Sequence, residues 1–371
     1  MRIGIIASNH FPIDEATIKG TEIFVYGFVL ELARRASQGG GSITVFCSGD
    51  SRLPVRVETV DERASAHDAV LPEGKHVLFE LALIEKAFRM EEEFDLFHVH
   101  IGNGDIALPF VPFIKKPVLV TVHYTLELYA RRFFLLYKNV PNLHFVSISD
   151  AQRRAIPELP YCATIHDGID EHKFSFDPEG GAALMWAGRG VPEKGIEDVV
   201  RVARRTGRQA RIFAARREEH AAWFQEFVER TRSRHDQIAI QCDTPRERLI
   251  PEYQKSRAFI FPIGWEEPFG LVMIEAMSAG TPVVAYARGS APEIIKDGET
   301  GFLVNPSDMD KRGEWVIKES GVDGLVKAVE RLYAMGSDEY RAMRRQCRAR
   351  VLDCFTLRKA VDAYEKVYAT F

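Results

Sequence analysis

Short runs of β-branched and aromatic residues alternate with helix-patterned stretches along the whole chain. In the first half, the runs that predict buried strands are residues 3–7, 43–47, 96–99, 118–122 and 144–148. The same rhythm begins again after a Pro- and Gly-containing linker at 177–181, with predicted strands at 184–187, 211–214, 238–241, 258–261, 282–285 and 302–304. Strands that alternate with helices indicate an α/β protein with parallel sheets covered by helices.

The repeated rhythm predicts two domains, and a length of 371 residues suits two cores rather than one. We predict a Rossmann-like N-terminal domain over residues 1–175 and a second Rossmann-like domain over 182–355, facing each other across a cleft. The helical pattern near the C-terminus breaks at Phe355-Thr356. We therefore expect the last helix, 356–371, to pack back on the first domain.

Composition and charge exclude several classes of protein. A net charge of -4, with acids and bases mixed along the chain, disfavours a nucleic-acid binder. The five cysteines are scattered without C-x-x-C spacing, which predicts neither a disulfide framework nor a zinc site. The apolar run at 3–7 is too short for a secretory signal, and acids interrupt the longer apolar stretches. We expect a soluble, cytoplasmic protein that does not cross a membrane.

Two acids frame an apolar segment in the stretch EEPFGLVMIE, at Glu267 and Glu275. Pro268-Phe269-Gly270 suits a turn into a helix, and Gly280-x-Pro282 suits its end. Eight helical positions span about 12 Å, whereas the two acids of a retaining glycosidase lie about 5 Å apart. The two acids therefore suit opposite ends of one extended ligand better than one scissile bond, with the helix N-terminus available for an anionic middle.

The segment from Glu267 to Ala285, EPFGLVMIEAMSAGTPVVA, resembles the E-x7-E segment of retaining glycosyltransferases of family 4, which have the GT-B fold. The resemblance implies that Glu267 contacts hydroxyls of the donor sugar and Glu275 binds the ribose. It also implies that the backbone around Pro268, Phe269, Gly270 and Leu271 meets the sugar and the phosphates. The alternative is structural: a glutamate favoured by the helix dipole and a second one on a solvated face.

A second segment, Ala187 to Gly195 (AGRGVPEKG), follows the first strand of the second domain and resembles the family's G-R-x-x-x-x-K-G stretch. The resemblance implies that Arg189 and Lys194 bind the donor diphosphate. Fixed cations can stabilise the negative charge that grows on a departing diphosphate without a metal ion. The alternative is that both are ordinary loop cations.

In the first domain, Gly20 and Thr21 lie where the family has a glycine-rich loop facing the phosphates, with Thr21 in place of the second glycine. His123 ends a predicted strand and matches the family's histidine near the reacting sugar. A lone histidine at a strand end can instead be structural, although open α/β sheets bind ligands at strand ends.

Other patterns support weaker interpretations. Residues 102–107 copy a dinucleotide-binding fingerprint, but no ribose-binding acid follows at the usual distance. We expect His98 and His100, at alternate positions of a predicted strand, to lie on opposite faces and to have a packing role. Asp308-Met309-Asp310 imitates a metal-binding D-x-D motif in a polar loop. Residues 129–138 mix aromatic and basic side chains, as helices at membrane surfaces do, although a core-facing helix explains them better.

The resemblance thus implies a metal-independent, retaining hexosyltransferase that uses a nucleotide diphosphate sugar and needs no other cofactor. A UDP-sugar is favoured as donor and GDP-mannose comes next. The acceptor is an unidentified hydroxyl of a carbohydrate, lipid or small molecule, and residues 129–138 are the candidate for contact with the inner membrane face. The alternatives are a nucleotide-sugar epimerase or hydrolase, a non-catalytic nucleotide-sugar binding protein, and a dehydrogenase that uses residues 102–107.

Overall fold

The computed structural model describes residues 1–17, 19–72, 74–126, 128–232 and 237–371. The chain divides into two compact units: unit 1 contains Met1–Gly168 and Leu357–Phe371, and unit 2 contains Ile169–Thr356. The division precedes the linker at 177–181 because residues 169–174 bond to the C-terminal part of unit 2. The amide of Ile169 donates to the carbonyl of Phe355 at 3.0 Å, and Arg348 donates to the carbonyl of Phe174 at 3.1 Å.

Unit 1 contains a parallel sheet of seven strands in the order β3-β2-β1-β4-β5-β6-β7. The strands are β1 (Arg2–Ile6), β2 (Ser42–Phe46), β3 (Arg56–Glu58), β4 (Leu96–Val99), β5 (Val118–Val122), β6 (Leu143–Ser147) and β7 (Tyr161–Thr164). The first strand pairs with both β2 and β4. The strand order therefore reverses at β1, and a sheet of this kind binds ligands at such a point, beyond the carboxyl ends of its strands.

The helices of unit 1, numbered along the chain, are α1 (Gly20–Gly39), α2 (His76–Arg89), α3 (Leu128–Phe134), α4 (Asp150–Arg153) and, from the C-terminus, α12 (Leu357–Tyr368). Helix α12 buries Val361, Tyr364 and Tyr368 on one face, the spacing of an amphipathic helix. Arg35 of α1 pairs with Asp362 of α12 at 2.7 Å. The end of the chain is thus part of the core of unit 1.

Unit 2 contains a parallel sheet of six strands in the order β10-β9-β8-β11-β12-β13. The strands are β8 (Ala183–Arg189), β9 (Ala210–Ala215), β10 (Ile238–Cys242), β11 (Ser256–Phe261), β12 (Val283–Tyr286) and β13 (Gly301–Val304). The helices are α5 (Ile196–Thr206), α6 (Ala221–Arg232), α7 (Arg246–Gln254), α8 (Leu271–Ser278), α9 (Ala291–Ile294), α10 (Gly321–Ala334) and α11 (Ser337–Cys354). The order reverses at β8, so both units have the Rossmann strand order.

A fully buried arginine ties α11 to the sheet of unit 2. Arg344 donates to the carbonyls of Asp177 at 2.6 Å and of Ser256, Gln254 and Ala279 at 3.1 Å each. These carbonyls belong to different parts of the chain, and one planar guanidinium with its several N–H donors provides a hydrogen bond to each of them. The side chain therefore holds the linker, the start of β11 and the end of α8 in one arrangement.

Every strand predicted from the sequence is present, which confirms the two parallel α/β sheets, but β3 and β7 were not predicted. Both are short strands at the edges of the sheet in unit 1. Neither has a fully buried residue, since the three residues of β3 and the four of β7 are half-buried or exposed. An edge strand covered on fewer sides lacks the continuous apolar run that marks a central parallel strand.

Replacement of Arg344 tests its structural role. We expect Arg344→Leu to lower the free energy of unfolding by about 3 kcal/mol or more, because the buried carbonyls lose their donors. Urea unfolding followed by circular dichroism measures this change. Arg345→Leu is the matched control, since Arg345 is the exposed next residue of the same helix. Equal stability of the two variants would contradict the role assigned to Arg344.

Candidate functional site

Glycine positions in unit 2 bring the loop after β8 against the end of β11. Gly195 has φ 70°, and a Cβ there would lie 1.9 Å from the carbonyl oxygen of Pro262. The amide of Gly264 donates to the carbonyl of Glu193 at 2.8 Å. A residue with a side chain could not occupy position 195 without moving the backbone. The predicted diphosphate loop therefore lies beside the segment that carries Glu267.

Lys194 and Glu267 form an ion pair at the carboxyl ends of these strands. Nζ of Lys194 lies 2.5 Å from Oε2 of Glu267, and each side chain is 14% exposed. Nε1 of Trp265 donates to the same carboxylate oxygen at 2.6 Å. Burial lowers the pKa of Lys194, although Glu267 opposes that shift. The structure thus brings two predicted site residues into direct contact and adds Trp265, which the sequence analysis did not select.

Arg189 ends β8 and lies over the same indole. Its Cζ is 5.1 Å from the ring centroid of Trp265, and Nζ of Lys194 is 4.8 Å from it. Arg189 has no carboxylate partner among the residues that the structure describes. A guanidinium held beside an aromatic ring and unpaired with an acid has donors available for an anion.

The segment Pro268–Gly270 leads into α8, as the sequence predicts. Gly270 is the N-cap residue of α8 and has no side chain that could accept a hydrogen bond from the first-turn amides. Leu271 is partly exposed. Phe269 is buried and its ring centroid lies 5.9 Å from that of Phe355. The buried ring fixes the start of the helix, while the first-turn amides of an uncapped helix can bind an anion.

Glu275 lies inside unit 2 rather than on a solvated face. It is 4% exposed, and its two oxygens accept from Nη2 of Arg246 at 2.6 Å and from the hydroxyl of Tyr253 at 2.8 Å. Burial raises the pKa of Tyr253, which keeps its hydroxyl protonated. Both partners come from α7, where no sequence motif marks them. Each oxygen of this carboxylate has the capacity for one further hydrogen bond.

Glu266 belongs to a separate ionic network. It pairs with Arg312 at 2.8 Å and with Arg288 at 3.2 Å, and Asp310 pairs with the same two arginines. Asp308 accepts instead from the hydroxyl of Ser320. The two aspartates of the D-x-D pattern thus bind different partners, and Asp310 is engaged by cations.

Gly20 and Thr21 begin α1 in unit 1, and Lys19 caps that helix without a side-chain hydrogen bond. Glu22, in the same first turn, is 6% exposed and one of its oxygens is buried without a partner among the described residues. Burial raises the pKa of Glu22. The predicted phosphate-facing position therefore lies at a helix N-terminus that also holds a buried acid.

A second buried acid, Glu80 of α2, lies beyond the carboxyl end of β1. It accepts from the hydroxyl of Ser8 at 2.6 Å and from the amide of Asn9 at 3.2 Å. Burial raises the pKa of Glu80 to about 7, and Glu22 contributes to that shift. Asn9 is fully buried, and neither polar atom of its side chain has a partner among the described residues. The sequence analysis did not identify this polar cluster, because Glu80 interrupts an otherwise apolar helical stretch.

His123 follows β5 and is 7% exposed. Its Nε2 lies 2.9 Å from Nδ1 of His100, and burial lowers its pKa to about 3, so the ring is neutral near pH 7. The expectation that His98 and His100 lie on opposite faces is wrong. Residues two positions apart along a strand share a face, and the two ring centroids are 3.9 Å apart although β4 ends at Val99.

Two further sequence patterns, residues 102–107 and 129–138, lie in unit 1. Residues 102–107 lead into the 3-10 helix Asp105–Phe113, which contains two prolines, whereas a dinucleotide fingerprint leads into an α-helix. In the 129–138 segment, Phe134 is buried, Tyr129 is 59% exposed and Leu136 is 73% exposed. In the described part of the chain, no helix has both the length and the apolar composition needed to span a bilayer.

Comparison with known proteins finds a family-model match within unit 2. Residues 169–319 match the family model described as glycosyl transferases group 1. An exopolysaccharide phosphotransferase of Streptomyces coelicolor is 27% identical over 211 residues, which cover 53% of this chain and 20% of that protein. A D-inositol 3-phosphate glycosyltransferase of Corynebacterium diphtheriae is 40% identical over 90 residues, 24% of this chain and 21% of that protein. The aligned regions thus span about a fifth of the length of these relatives.

Solved structures resemble the whole chain. Sucrose-phosphate synthase from Thermosynechococcus elongatus matches with a TM-score of 0.75 and 18% identity, over 100% of this chain and 98% of that one. The Anabaena protein HepE, solved with UDP-glucose, matches with a TM-score of 0.72 and 15% identity over 100% of both chains. Likeness at this level of identity shows the fold.

The raised pKa of Glu80 predicts a pH dependence. A carboxyl whose pKa is higher in the folded state binds more protons there, so the free energy of unfolding falls as pH rises from about 4.5 to 7. We expect Glu80→Gln to remove about 2–3 kcal/mol of this fall. Urea unfolding at several pH values measures it. Glu85→Gln, an exposed position of the same helix, is the control and should keep the wild-type slope. The same slope in Glu80→Gln would contradict the shift.

Proposed function

We propose that the chain is a glycosyltransferase of the group 1 type, which transfers a hexose from a nucleotide diphosphate sugar to a hydroxyl acceptor with retention of configuration. The match of residues 169–319 to the glycosyl transferases group 1 model and the GT-B fold support this proposal. The observation that carries the proposal is the cluster of Lys194, Glu267, Trp265 and Arg189 at the carboxyl ends of β8 and β11. This is where an open α/β sheet binds ligands.

Arg189, Lys194 and the amides at the start of α8 bind the diphosphate in this proposal. Negative charge grows on the diphosphate as the bond from the anomeric carbon to the phosphate oxygen breaks. Donors already fixed in place stabilise that charge without reorganisation during the reaction. These residues supply positive charge themselves, so the proposal needs no metal ion.

Glu267 contacts hydroxyls of the donor hexose. One of its oxygens accepts from both Lys194 and Trp265, which leaves the other without a partner among the described residues. A carboxylate oxygen is a strong acceptor for sugar hydroxyls. Lys194 then serves two purposes, because it orients Glu267 and faces the phosphate.

Glu275 binds the ribose, and His123 of unit 1 contacts the donor sugar near the reacting carbon. Arg246 and Tyr253 fix the Glu275 carboxylate through one bond to each oxygen. The acceptor hydroxyl attacks the anomeric carbon from the face that the phosphate leaves, and a phosphate oxygen takes its proton. No pair of catalytic carboxylates is required.

A UDP-sugar remains the favoured donor and GDP-mannose the next. The Anabaena relative solved with UDP-glucose supports UDP, whereas the Arabidopsis starch synthase IV domain was solved with ADP and acarbose. The acceptor class, a cytoplasmic location and contact of residues 129–138 with the inner membrane face remain predictions.

Replacement of Lys194 tests the donor site. We expect UDP-glucose to raise the melting temperature of the wild-type protein, because a ligand that binds the folded state stabilises it. Lys194→Ala should lose this rise and lower turnover by about 100-fold or more, as loss of one electrostatic donor does. Lys255→Ala is the control, since Lys255 is an exposed lysine 3.4 Å from a glutamate. Wild-type turnover by Lys194→Ala would contradict the assignment. GDP-mannose and ADP-glucose in the same assay compare the donor bases.

The stereochemistry of the product tests the reaction. With UDP-α-glucose as donor and water or a supplied alcohol as acceptor, we expect the first product seen by proton NMR to be the α-anomer. A first-formed β-product would contradict retention. Turnover of donor to an epimer would favour the epimerase alternative. Turnover to free sugar alone, even with alcohols supplied, would favour the hydrolase, and binding without any turnover would favour a binding protein.

A further inference from the structure

A chain of hydrogen bonds inside unit 1 connects the C-terminal helix to His123. The hydroxyl of Tyr368 lies 2.6 Å from Nδ1 of His98, and Nε2 of His100 lies 3.2 Å from the same atom. Nδ1 of His100 lies 2.9 Å from Nε2 of His123. Nε2 of His98 lies 2.8 Å from the hydroxyl of Thr121. The Thr121 hydroxyl also lies 3.0 Å from that of Tyr364, so three imidazoles, two tyrosines and one threonine form a continuous buried network.

The three imidazoles are neutral. Burial lowers the pKa of His98 and of His100 well below the usual value and that of His123 to about 3. A neutral imidazole has one nitrogen that donates and one that accepts. Each bond in the chain needs one donor and one acceptor, so the tautomer of one ring determines the tautomer of the next.

Tyr368 determines which atom donates and which accepts in each hydrogen bond of the network. Burial raises the pKa of its hydroxyl, which therefore keeps its proton. Nδ1 of His98 is the only hydrogen-bond partner of this hydroxyl among the residues that the structure describes, so the buried O–H donates to it. Nδ1 of His98 therefore accepts, and its Nε2–H donates to Thr121.

The same logic extends to His123. Because Nδ1 of His98 carries no proton, Nε2–H of His100 donates to it, and Nδ1 of His100 accepts. Nε2–H of His123 then donates to His100, which leaves Nδ1 of His123 as an acceptor. That nitrogen has no partner among the residues that the structure describes.

We propose that Tyr368, His98 and His100 are positioning residues that hold His123 in its Nε2–H tautomer, so that Nδ1 accepts a hydrogen bond from a hydroxyl of the bound sugar. The proposal rests on the proposed function, in which His123 contacts the donor sugar. Phe24 and Phe28 support the ring positions, since Phe24 packs 5.9 Å from His123 and Phe28 packs 5.5 Å from His100. The C-terminal helix, distant in sequence, thereby acts on the sugar contact.

A packing role alone would not require this arrangement. Apolar rings of similar size would fill the space without the cost of burying several polar nitrogens. The hydrogen bonds fix which nitrogen of His123 is free, and packing cannot do so.

Nitrogen NMR of the histidine side chains tests the tautomer directly. Long-range proton–nitrogen correlation spectra of the full chain labelled with ¹⁵N-histidine distinguish protonated from unprotonated ring nitrogens, and a His123→Gln variant assigns the signals. We expect the His123 proton on Nε2 in the wild-type protein. We expect Tyr368→Phe to shift His123 towards the other tautomer. A wild-type proton on Nδ1, or a Tyr368→Phe spectrum unchanged at His123, would overturn the proposal.

Tyr161→Phe is the matched control, because the Tyr161 hydroxyl is buried in the same unit and has no hydrogen-bond partner among the described residues. It should leave the His123 signals unchanged. Thr121→Val is a second variant that removes the acceptor of His98 Nε2–H and should shift the tautomer in the same direction as Tyr368→Phe. If both Tyr368→Phe and Thr121→Val fold and neither moves the His123 signals, the chain does not set the tautomer.

Turnover of UDP-glucose gives the functional readout. We expect Tyr368→Phe to lower kcat by about five- to ten-fold, the scale of one hydrogen bond, with little change in KM. Tyr161→Phe should keep wild-type kcat. Wild-type kcat in His123→Gln would overturn the positioning role. If the wild-type protein transfers no sugar yet shows the expected tautomer and the Tyr368→Phe shift, the proposed function fails while the tautomer assignment is supported.

Discussion

The ion pair between Lys194 and Glu267 is the contact on which the candidate donor site depends. The two residues are 73 positions apart, and they meet because β8 and β11 are neighbours in a parallel sheet whose carboxyl ends lie at one edge. Burial makes an isolated charge costly there, and Glu267 opposes the lowering of the Lys194 pKa that burial causes. The lysine and the glutamate of the proposed donor site are thus oriented by each other. Trp265 adds a donor to the glutamate and an aromatic face beside both cations.

The arrangement around this pair is held by backbone constraints. Gly195 allows the loop after β8 to touch the end of β11, and Gly289, with φ 53°, allows the chain after β12 to touch Glu267. Arg344 satisfies carbonyls at the start of β11 and the end of α8. The strands and the helix that carry the site are therefore held in place by the hydrogen bonds of a buried arginine and by close backbone contacts at the two glycines.

Much of the fold could be predicted from the sequence, because central parallel strands are buried on both faces and therefore consist of continuous runs of apolar residues. The edge strands β3 and β7 lack such runs. In the site, the motifs marked Lys194, Glu267 and Glu275, but their partners come from elements without a motif. Arg246 and Tyr253 reach Glu275 from α7, and only the packing of α7 against α8 brings them there. Sequence motifs cannot show such hydrogen-bond partners, because the pairing depends on tertiary contacts between elements.

His98 and His100 lie close together because side chains two positions apart in a strand point to the same face. His98 belongs to β4, and His100 follows Val99, the last residue of that strand, with the two ring centroids 3.9 Å apart. Beyond that point the chain turns, and His100 lies between His98 and His123. Helix α12, which the sequence predicts only as a packing helix, supplies the tyrosine at the other end. A polar side chain buried in a core needs a hydrogen-bond partner. Here these hydrogen bonds connect helix α12 to His123, which follows β5.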